Sequence, residues 1–555
     1  MRTKFNGIIT LLLVLFVQIS FAQEKTVSGT VSDTSGTLPG VSVIIKGTTT
    51  GTETDFDGKY SIKVKIGDIL SFSYLGYVKV EKNVGNASTI NVTLKEDANV
   101  LDEVVVIGYG TTTKQAFTGS AKVVKAEDLE RKSVSNISQA LAGEIAGVNV
   151  ITTSGQPGTS AVIRIRGFGS VNGNRSPLYV VDGVPFSGAL NSINPSDIES
   201  TTVLKDATAT AIYGARGANG VILITTKTGK NGVTTMEVDV KTGVNFSSIP
   251  RYDIITSPEE YIEVAWASMG GRGENFGNDA ATYANDNLFG NRGINPKYNL
   301  WNTTSVSDLI DPTTGKVRSN VTRKYSPENW QDYGFQTSIR TEANLKMSGG
   351  NDKTKYFSSF GYLDDIGYII NSKYKRVTTR LNITHKPKEW LTASTSIGYS
   401  VGETTNNGQT NDSGSIFWFV DNIPSIYPLF ERDVNGALIP DIVYGGNVFD
   451  YGVGRGFGAL TNAIGDATNN FRGNKRHSLN GNFSFNVKFS DNLSFETKYG
   501  LQYYNQISNT YNNPFYGSGA PADVAGSLSK GFNTAVTQNF LNMFRYNNTF
   551  GDHSI

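Results

Sequence analysis

Two stretches decide the fold of this chain: AVIRIRGFGSVNGNRSPLYVVDGVPFSG at residues 161–188 and NPSDIESTTVLKDATATAIYGARGANGVILITTKT at residues 194–228. Side chains alternate along a strand, so the start of the first stretch places Val162, Arg164 and Arg166 on one face. Ile163 and Ile165 then lie on the opposite face. This alternation predicts a short strand with one apolar side.

The same stretches supply the other elements of a small mixed α/β domain. A second strand at Leu178–Val181 ends at the turn Asp182-Gly183, and a compact β-branched strand occupies Val221–Thr226. Asp206 is a good N-cap for a short alanine-rich helix that Gly214 ends.

A short helix opens this domain. Ile137, Leu141 and Ile145 recur at helical spacing, and Ser135 is the predicted N-cap. Val148 then begins a strand. We predict that the whole α/β domain covers residues 115–229.

Four pieces of sequence stand in order here: LDEVVVIGYG from residue 101, RIRG from 164, PLYVVDGVP from 177 and VLKDATATAIYGARGANGVILITTKTG from 203. Together they resemble the plug domain of TonB-dependent outer-membrane transporters of the SusC/RagA family. The resemblance implies a plug inside a transmembrane β-barrel. It also implies a TonB-type energy transducer, a SusD-like surface lipoprotein and a bulky substrate, either an oligosaccharide or a peptide.

Composition excludes several classes of protein. The 555 residues include 50 Lys and Arg against 49 Asp and Glu, so the net charge of +1 gives no sign of nucleic-acid binding. The 60 glycines and 11% aromatic residues suit short strands with tight turns and aromatic girdles at a membrane interface. The absence of cysteine excludes disulfides and thiolate sites.

Residues 1–22 are predicted to be a secretory signal peptide. Arg2 and Lys4 supply the positive end, Ile8–Val17 is an apolar core too short to span a bilayer, and Ser20-Phe21-Ala22 fits a cleavage site. The alternative is a short buried helix. The signal peptide predicts export across the inner membrane, and cleavage after Ala22 would leave a mature chain that begins at Gln23.

Residues 23–97 are predicted to form a small β-domain. Val27 and Val31, Val41 and Val43, and Tyr60 alternate with polar or small neighbours along successive strands. The sequence GTVSDTSGTLPGVSVIIKGTTTGTETDFDGKYSI resembles the carboxypeptidase-regulatory-like domain, a transthyretin-like β-sandwich without catalytic residues.

Residues 98–114 form a linker that contains a β-branched strand with no obvious partner nearby in sequence. The resemblance implies that this strand is a Ton box, which would add to a sheet edge of the energy transducer through main-chain hydrogen bonds. The alternative is an ordinary edge strand of the plug. The residues of the predicted Ton box are Asp102, Glu103, Val104, Val105, Val106 and Ile107.

Arg164 and Arg166 are the predicted contacts between plug and barrel. The resemblance implies that the paired arginines of the RIRG strand point at the barrel wall, and two buried cations are costly unless both are paired. The alternative is two solvated arginines on a strand face.

Residues 230–555 alternate between apolar and polar side chains in long runs. Runs of about 10 residues with one apolar face are the signature of transmembrane barrels, whereas strands of a soluble sandwich average about 5–6 residues. The clearest runs are residues 236–246, 377–384, 391–401, 479–489 and 493–503. The predicted fold class is therefore mainly β: a sandwich, an α/β plug and part of an antiparallel β-barrel.

Long polar insertions separate some of these runs, at residues 250–335, 402–474 and 508–533. They have the composition of extracellular loops and contain Trp266, Trp301, Trp330 and Trp418. We count roughly 10–12 candidate strands, whereas a barrel that holds a plug needs around 22. We therefore expect this sequence to be an N-terminal portion of a longer transporter.

The function expected from this reading is active import across the outer membrane of a Gram-negative bacterium, with no enzymatic activity and no cofactor. His385, His477 and His553 are too scattered to form a metal cluster or a catalytic triad. One alternative is a surface binding or adhesion protein, which needs no Ton box. The other is an iron-siderophore receptor, which is not expected to carry the domain at residues 23–97.

Overall fold

The computed structural model describes residues 25–33, 36–48, 50–74, 77–95, 104–107, 110–113, 121–167, 169–248, 250–290, 292–408, 414–456, 461–516, 526–550 and 553–554. The chain divides into two compact units, Met1–Thr118 and Gly119–Ile555. The predicted signal peptide at residues 1–22 lies outside the described residues, as do Asp102 and Glu103 of the predicted Ton box.

The first unit contains the expected β-sandwich. Its strands are β1 (Lys25–Ser32), β2 (Ser42–Ile45), β3 (Gly51–Glu53), β4 (Lys59–Val64), β5 (Ile69–Ser73), β6 (Val80–Asn83) and β7 (Val92–Thr93). One sheet has the order β4-β1-β7 and the other β3-β2-β5-β6. Val27, Val43 and Tyr60 belong to one buried core, as their alternation predicts, and Phe72 of β5 packs in the same core.

A hairpin follows in the same unit. Strand β8 (Val104–Ile107) pairs antiparallel with β9 (Gly110–Thr113), so the expectation that this strand has no nearby partner is wrong. The sequence between the strands is Gly108-Tyr109, and a two-residue connection containing glycine is among the commonest hairpin links.

The second unit begins with the α/β plug domain. Its strands are β10 (Ala121–Lys125), β11 (Val148–Ile151), β12 (Val162–Ile165), β13 (Leu178–Val181), β14 (Val184–Phe186), β15 (Ile198–Leu204) and β16 (Val221–Thr226). The main sheet has the order β10-β15-β16-β13-β14, and β11 pairs with β12. The bounds predicted for β13 and β16 are confirmed, and Ile163 and Ile165 are buried as the alternation requires.

The plug helices are short: α1 (Ala126–Glu130), α2 (Ile137–Ala140) and α3 (Ala207–Thr210), with 3-10 turns at Leu190–Ser192, Pro195–Asp197 and Ala211–Gly217. The N-cap of α2 is Asn136, whose side chain accepts from the Ser138 N–H, so the predicted Ser135 cap is wrong. Asp206 occupies the N-cap of α3 but makes no cap hydrogen bond. The α-helix ends at Thr210, before the predicted stop at Gly214, which has φ 57° and forms a kink inside the 3-10 segment that follows.

A large antiparallel sheet follows. Its strands are β17 (Gly232–Asn245), then, after a small hairpin of β18 (Ile310–Asp311) and β19 (Lys316–Val317), β20 (Ser338–Gly350), β21 (Thr354–Ile366), β22 (Lys373–Lys388), β23 (Leu391–Asn406), β24 (Phe471–Lys488), β25 (Leu493–Asn512) and β26 (Ser527–Tyr546). Neighbours in the sheet are neighbours in sequence. A two-stranded pair of β27 (Thr549–Phe550) and β28 (His553–Ser554) ends the described chain.

The sheet has fewer strands than the roughly 10–12 predicted, because its members run from 13 to 20 residues. Residues 402–406, 471–474, 508–512 and 527–533 are strand, so the predicted bounds of these insertions are wrong there. Short connections after β20, β22 and β24 lie at one end of the sheet, and the long insertions lie at the other. We call the second end the insertion end.

The two faces of the large sheet reverse the usual pattern of a soluble protein. Apolar side chains such as Leu381 and Phe540 are exposed, at 41% and 71%, while Arg376 and Arg380 on the opposite face are buried. Aromatic residues such as Trp390 and Phe489 stand exposed at the short-connection end. An apolar outer face, a polar inner face and aromatic borders are the features of a membrane-spanning β-sheet.

The insertions fold around an apolar core of their own. The sequence predicted polar loops and did not predict this core. Their helices are α4 (Pro258–Asn275), α5 (Ala280–Asn287), α6 (Val306–Leu309), α7 (Trp330–Gly334), α8 (Ile416–Asn422) and α9 (Ala463–Asn469), with a 3-10 turn at Pro296–Tyr298. Trp266, Trp301 and Trp330 are buried together in a core that joins the insertions before β20 and before β24, whereas Trp418 is 41% exposed. Across the described ranges, no helix has the length and hydropathy to cross a membrane.

We expect Leu381→Arg to destabilise the full-length protein in lipid vesicles by about 2–4 kcal/mol, because the guanidinium would lie in hydrocarbon near the middle of β22. Urea titration in vesicles measures this. The matched control is Ile442→Arg, at a 96% exposed residue of the insertion before β24, which we expect to change stability by less than about 0.5 kcal/mol. Equal effects of the two changes would contradict a lipid-facing outer surface.

Candidate functional site

Charged side chains on the inner face of the large sheet contact the plug domain. Arg340 and Lys346 on β20 and Arg376 and Arg380 on β22 are each at most 9% exposed. A buried cation is costly unless it is paired and hydrogen-bonded. The plug supplies most of the partners, so this interface is the candidate functional site.

Arg380 binds two plug carboxylates. Its Nε lies 3.5 Å from Oδ2 of Asp197, and its Nη1 lies 3.9 Å from Oδ2 of Asp182. The Ser396 hydroxyl on β23 donates to the same Asp182 oxygen at 2.9 Å. Asp182 follows β13 and Asp197 precedes β15, so one guanidinium connects two separate segments of the plug to the wall.

Arg376 binds plug carbonyl groups instead of carboxylates. Its Nη1 donates to the backbone oxygens of Ser135, Asn191 and Ile193 at 2.9, 3.0 and 3.3 Å. The Tyr374 hydroxyl donates to the Asn191 oxygen at 3.2 Å. The start of α2 and the 3-10 turn at Leu190–Ser192 are therefore held by one wall strand.

A third contact explains why Ser135 does not cap α2. Its hydroxyl donates to Oδ2 of Asp365 on β21 at 3.0 Å, so the side chain is directed at the wall and away from its own helix. Beside it, Arg340 donates to the Ser133 carbonyl at 2.5 Å and to the Glu342 carboxylate at 2.6 Å.

Neutral amides extend the interface across the sheet. Each binds a main-chain or side-chain group of the plug, and together they reach from β20 to β25. The contacts are Asn194 Nδ2 to Asn344 Oδ1 at 2.8 Å, Asn382 Nδ2 to the Lys227 carbonyl at 2.6 Å, Asn482 Nδ2 to the Val181 carbonyl at 3.2 Å and Gln502 Nε2 to the Pro185 carbonyl at 2.7 Å.

A glycine in the wall permits the closest approach of the plug. A Cβ added to Gly500 on β25 would lie 2.4 Å from Cγ1 of Val184, which is too close for any side chain. Glycine at this position is therefore required for the contact between β14 and the sheet.

Glu130, at the end of α1, anchors the N-terminal segment of the plug. Its Oε1 lies 2.7 Å from Nζ of Lys227 and 3.4 Å from Nζ of Lys346 on β20. Burial raises the pKa of this carboxyl, but the hydrogen bonds from the two lysines outweigh burial and hold the pKa below its ordinary value of 4.5. Through these two ion pairs, Glu130 connects the segment after the linker to Lys227 of the plug and to Lys346 of the wall.

The arginines that the sequence singled out have partners within the plug. Arg164 donates to its neighbour's carbonyl at Ile163 (2.9 Å) and to the Arg175 carbonyl (3.3 Å), and Arg166 forms an ion pair with Asp206. Their predicted contact with the barrel remains a prediction. For Val104–Ile107 the structure gives the hairpin strand described above, and their role as a Ton box also remains a prediction.

The sequence contained a signal for the cations that do bridge plug and wall. Arg376 and Arg380 alternate with the apolar side chains of the run at residues 377–384, which places both on the polar face of that strand. An arginine on a face that a plug covers loses its water, so it must find a partner in the plug. That constraint points to Arg376 and Arg380 on the wall.

His385 and His477 lie apart in the sheet, each beside a hydroxyl group. Nδ1 of His385 lies 2.7 Å from the Thr354 hydroxyl, and Nδ1 of His477 lies 2.7 Å from the Tyr399 hydroxyl, on different strand pairs. The side chain of His553 lies outside the described set.

Two cavities lie near the insertion end. One, of about 210 Å³, lies between the plug segment at Ala189–Ser192 and strands β22 to β25. The other, of about 650 Å³, is bordered by Tyr333, Lys373, Phe449 and Thr468. The plug surface at Asn191 therefore borders a space between the plug and the wall.

Two family models match the chain. The TonB-dependent Receptor Plug Domain matches residues 113–221, and the CarboxypepD_reg-like domain matches residues 27–106. The chain is 38% identical to TonB-dependent receptor SusC of Bacteroides thetaiotaomicron over 390 residues, which are 68% of this chain and 34% of that protein. It is 32% identical to TonB-dependent receptor P3 of Formosa agariphila over 575 residues, which cover 100% of this chain and 50% of that one.

Among solved structures, the RagAB peptide importer in the open-open state aligns with a TM-score of 0.62 at 26% identity, over 81% of this chain and 47% of that chain. The chain belongs to the SusC/RagA family of TonB-dependent receptors. It spans between a third and a half of the length of the relatives described here. Members of this receptor family are outer-membrane β-barrel proteins and are not enzymes, in agreement with the fold and class expected from the sequence.

In this SusC/RagA-type receptor we expect Arg380→Gln to loosen the plug. The change leaves Asp182 and Asp197 without their cation, and removing one partner of a buried pair costs about 3–5 kcal/mol. Hydrogen exchange of residues 182–197 in the full-length protein measures the loosening. Lys375→Gln is the control, since Lys375 lies on the same strand, is half-exposed and pairs with Asp364 at 3.9 Å. Unchanged exchange in Arg380→Gln would contradict the assigned contact.

The anchor at Glu130 predicts an acid dependence. Because the folded-state pKa is lowered, the ionised carboxylate stabilises the plug above its unfolded-state pKa, and this stabilisation is lost as the pH falls through the folded-state pKa. We expect hydrogen exchange of residues 121–130, corrected for intrinsic pH effects, to accelerate as the pH falls below the ordinary carboxyl pKa of 4.5 toward the lowered folded-state pKa. Glu130→Gln should remove this step and Glu127→Gln, an exposed neighbour in α1, should keep it. Persistence of the step in Glu130→Gln would assign it to another group.

Proposed function

We propose that the full-length protein imports a bulky nutrient, an oligosaccharide or a peptide, across the outer membrane, driven by a TonB-type energy transducer. The observation that carries this proposal is the polar interface between the plug and the large sheet. A plug fixed by Arg376, Arg380 and wall amides closes the inner face of the sheet through hydrogen bonds and ion pairs.

Such an interface suits a plug that moves and returns. A typical hydrogen bond contributes only about 0.5–1.5 kcal/mol net, since water replaces the lost partner when the bond opens. The contact from the neutral Gln502 amide to the Pro185 carbonyl is of this kind. Displacement of the plug then exposes groups that water solvates.

The force is proposed to enter through the predicted Ton box at Asp102–Ile107. Strand addition to the transducer uses main-chain hydrogen bonds and is reversible. Strand β10 follows the linker and is an edge strand of the plug sheet, paired only with β15 among the described strands. Pulling on the linker therefore loads β10 first, and the next anchored residue on the path is Glu130.

The remaining partners follow from the family. We propose that a SusD-like surface lipoprotein covers the insertion end, that outer-membrane lipid contacts the exposed apolar face, and that substrate binds above the plug. The resemblance of this chain to SusC and to the RagAB peptide importer supports both the import and the partner. The domain at residues 27–106 supports this branch over a siderophore receptor.

Deleting Asp102–Ile107 from the full-length gene in its own host should abolish uptake of the nutrient while surface display stays normal. Uptake of labelled glycans and peptides is compared with that of the intact strain. Normal uptake after the deletion would contradict the Ton box and favour a surface-binding protein.

Single substitutions test the proposed strand addition. Val105→Pro and Val106→Pro each remove a main-chain N–H, and because alternate residues direct this group to opposite edges, we expect at least one to reduce uptake by about 2- to 10-fold. Val105→Thr and Val106→Thr keep the N–H and the β-branch, so uptake should be retained. A loss in the threonine variants alone would contradict main-chain recognition.

A further inference from the structure

Arg476 on β24 projects into the cavity of about 210 Å³ between plug and wall and has a guanidinium that the protein satisfies poorly. Its Nη1 makes a long hydrogen bond of 3.3 Å to Oε1 of Gln506, and its buried Nε has no hydrogen-bond partner. The guanidinium carbon lies 3.7 Å from the ring centroid of Tyr504, which fixes the plane of the group.

The other wall arginines show what this site lacks. Arg380 faces Asp182 and Asp197, and Arg340 binds Glu342. Arg376 has no carboxylate partner among the described residues, but its Nη1 donates to three plug carbonyls. Among the residues that the structure describes, no carboxylate forms an ion pair with Arg476. A positive charge held in place without a counter-charge is a ready site for an anion.

The cavity around Arg476 is otherwise neutral. Its lining offers hydroxyls and amides, including those of Ser400, Asn474 and Gln506, and no acidic side chain. Opposite Arg476 in the strand register is Gly402, and a Cβ there would come within 3.2 Å of the Tyr374 hydroxyl. The space beside the guanidinium is therefore kept open by a missing side chain.

We infer that Arg476 binds an anionic substituent, a carboxylate or a sulfate ester, of an oligosaccharide that enters this cavity. Hydroxyl and amide groups around a single cation match sugar hydroxyls next to one acidic group. A zwitterionic peptide would also need an acceptor for its ammonium group, and the lining supplies no carboxylate. This inference rests on the proposed function, since it names the substrate class of the imported nutrient.

The plug shares this site. Asn191 and Ser192 line the same cavity, and the Asn191 carbonyl accepts from both Tyr374 and Arg376. A ligand held by Arg476 therefore contacts the plug segment that the neighbouring wall strand fixes. Arg476 is a specificity-determining residue for a ligand that touches the plug directly.

The test is calorimetric binding to the purified full-length protein in detergent. The probes are oligogalacturonate and its methyl ester, a sulfated oligogalactan and its desulfated form, and an acidic pentapeptide with a free or amidated terminus. We expect at least one acidic oligosaccharide to bind more tightly than its neutral counterpart. Arg476→Gln should weaken that binding by roughly 10- to 100-fold, as expected for hydrogen bonds to a charged group, and leave the neutral sugar unchanged.

Two further variants complete the design. Arg476→Lys keeps the charge and should restore part of the acidic preference. Lys475→Gln removes a cation from the adjacent outward-facing residue, which pairs with Glu403 at 2.6 Å, and should have no effect on binding. A preference for the carboxylated sugar or for the sulfated sugar identifies the anionic group that Arg476 binds, and each of these two results supports the inference.

Three results would overturn the inference: equal binding of acidic and neutral sugars, equal effects of Arg476→Gln and Lys475→Gln, or a preference shown only by the free-acid peptide. The binding assay contains no energy transducer. Its failure therefore leaves the import proposal standing, and failure of the Ton box deletion leaves this binding result unaffected.

Discussion

The structure depends on the pairing of charges that the inner face of the large sheet buries. A sheet whose outer face is apolar must place its polar residues inside, and a plug that fills the interior removes water from them. Arg376 and Arg380 are then stable only if the plug supplies acceptors, which it does through Asn191, Asp182 and Asp197. The plug is consequently positioned by polar geometry as much as by its own apolar core.

This constraint also determines how the plug can move. An interface made by apolar packing would expose hydrocarbon on opening, at about 25 cal/mol for each Å². The contacts of Asn382, Asn482 and Gln502 expose polar groups instead, which water can satisfy. The ion pairs of Arg380 are the exception, because separating them leaves buried charges until water enters. The resistance of the plug to displacement is therefore concentrated at a few residues.

Local sequence patterns predicted the elements of the plug but not its contacts. Strands β13 and β16 have their predicted bounds because turn chemistry and β-branched runs act over a few residues. Ser135 and Asp206 looked like helix caps by the same local rules, yet their side chains serve Asp365 and Arg166. Asp365 is distant from Ser135 in sequence, and Arg166 reaches Asp206 only when the intervening chain folds back. A tertiary partner that is charged outcompetes a local N–H, and only the folded chain reveals it.

In the proposed function, the residues that hold the plug also border the proposed ligand cavity. The Asn191 carbonyl is held by Arg376 and Tyr374, and the Asn191 side of the plug also borders the cavity of Arg476. Tyr374 belongs to both environments, since it binds the plug and lines the cavity. A ligand that contacts Tyr374 or Asn191 therefore changes the free energy of the contact that holds the plug. Coupling between an occupied cavity and plug release requires only this differential contact, because a ligand shifts an equilibrium by as much as its affinities for the two states differ.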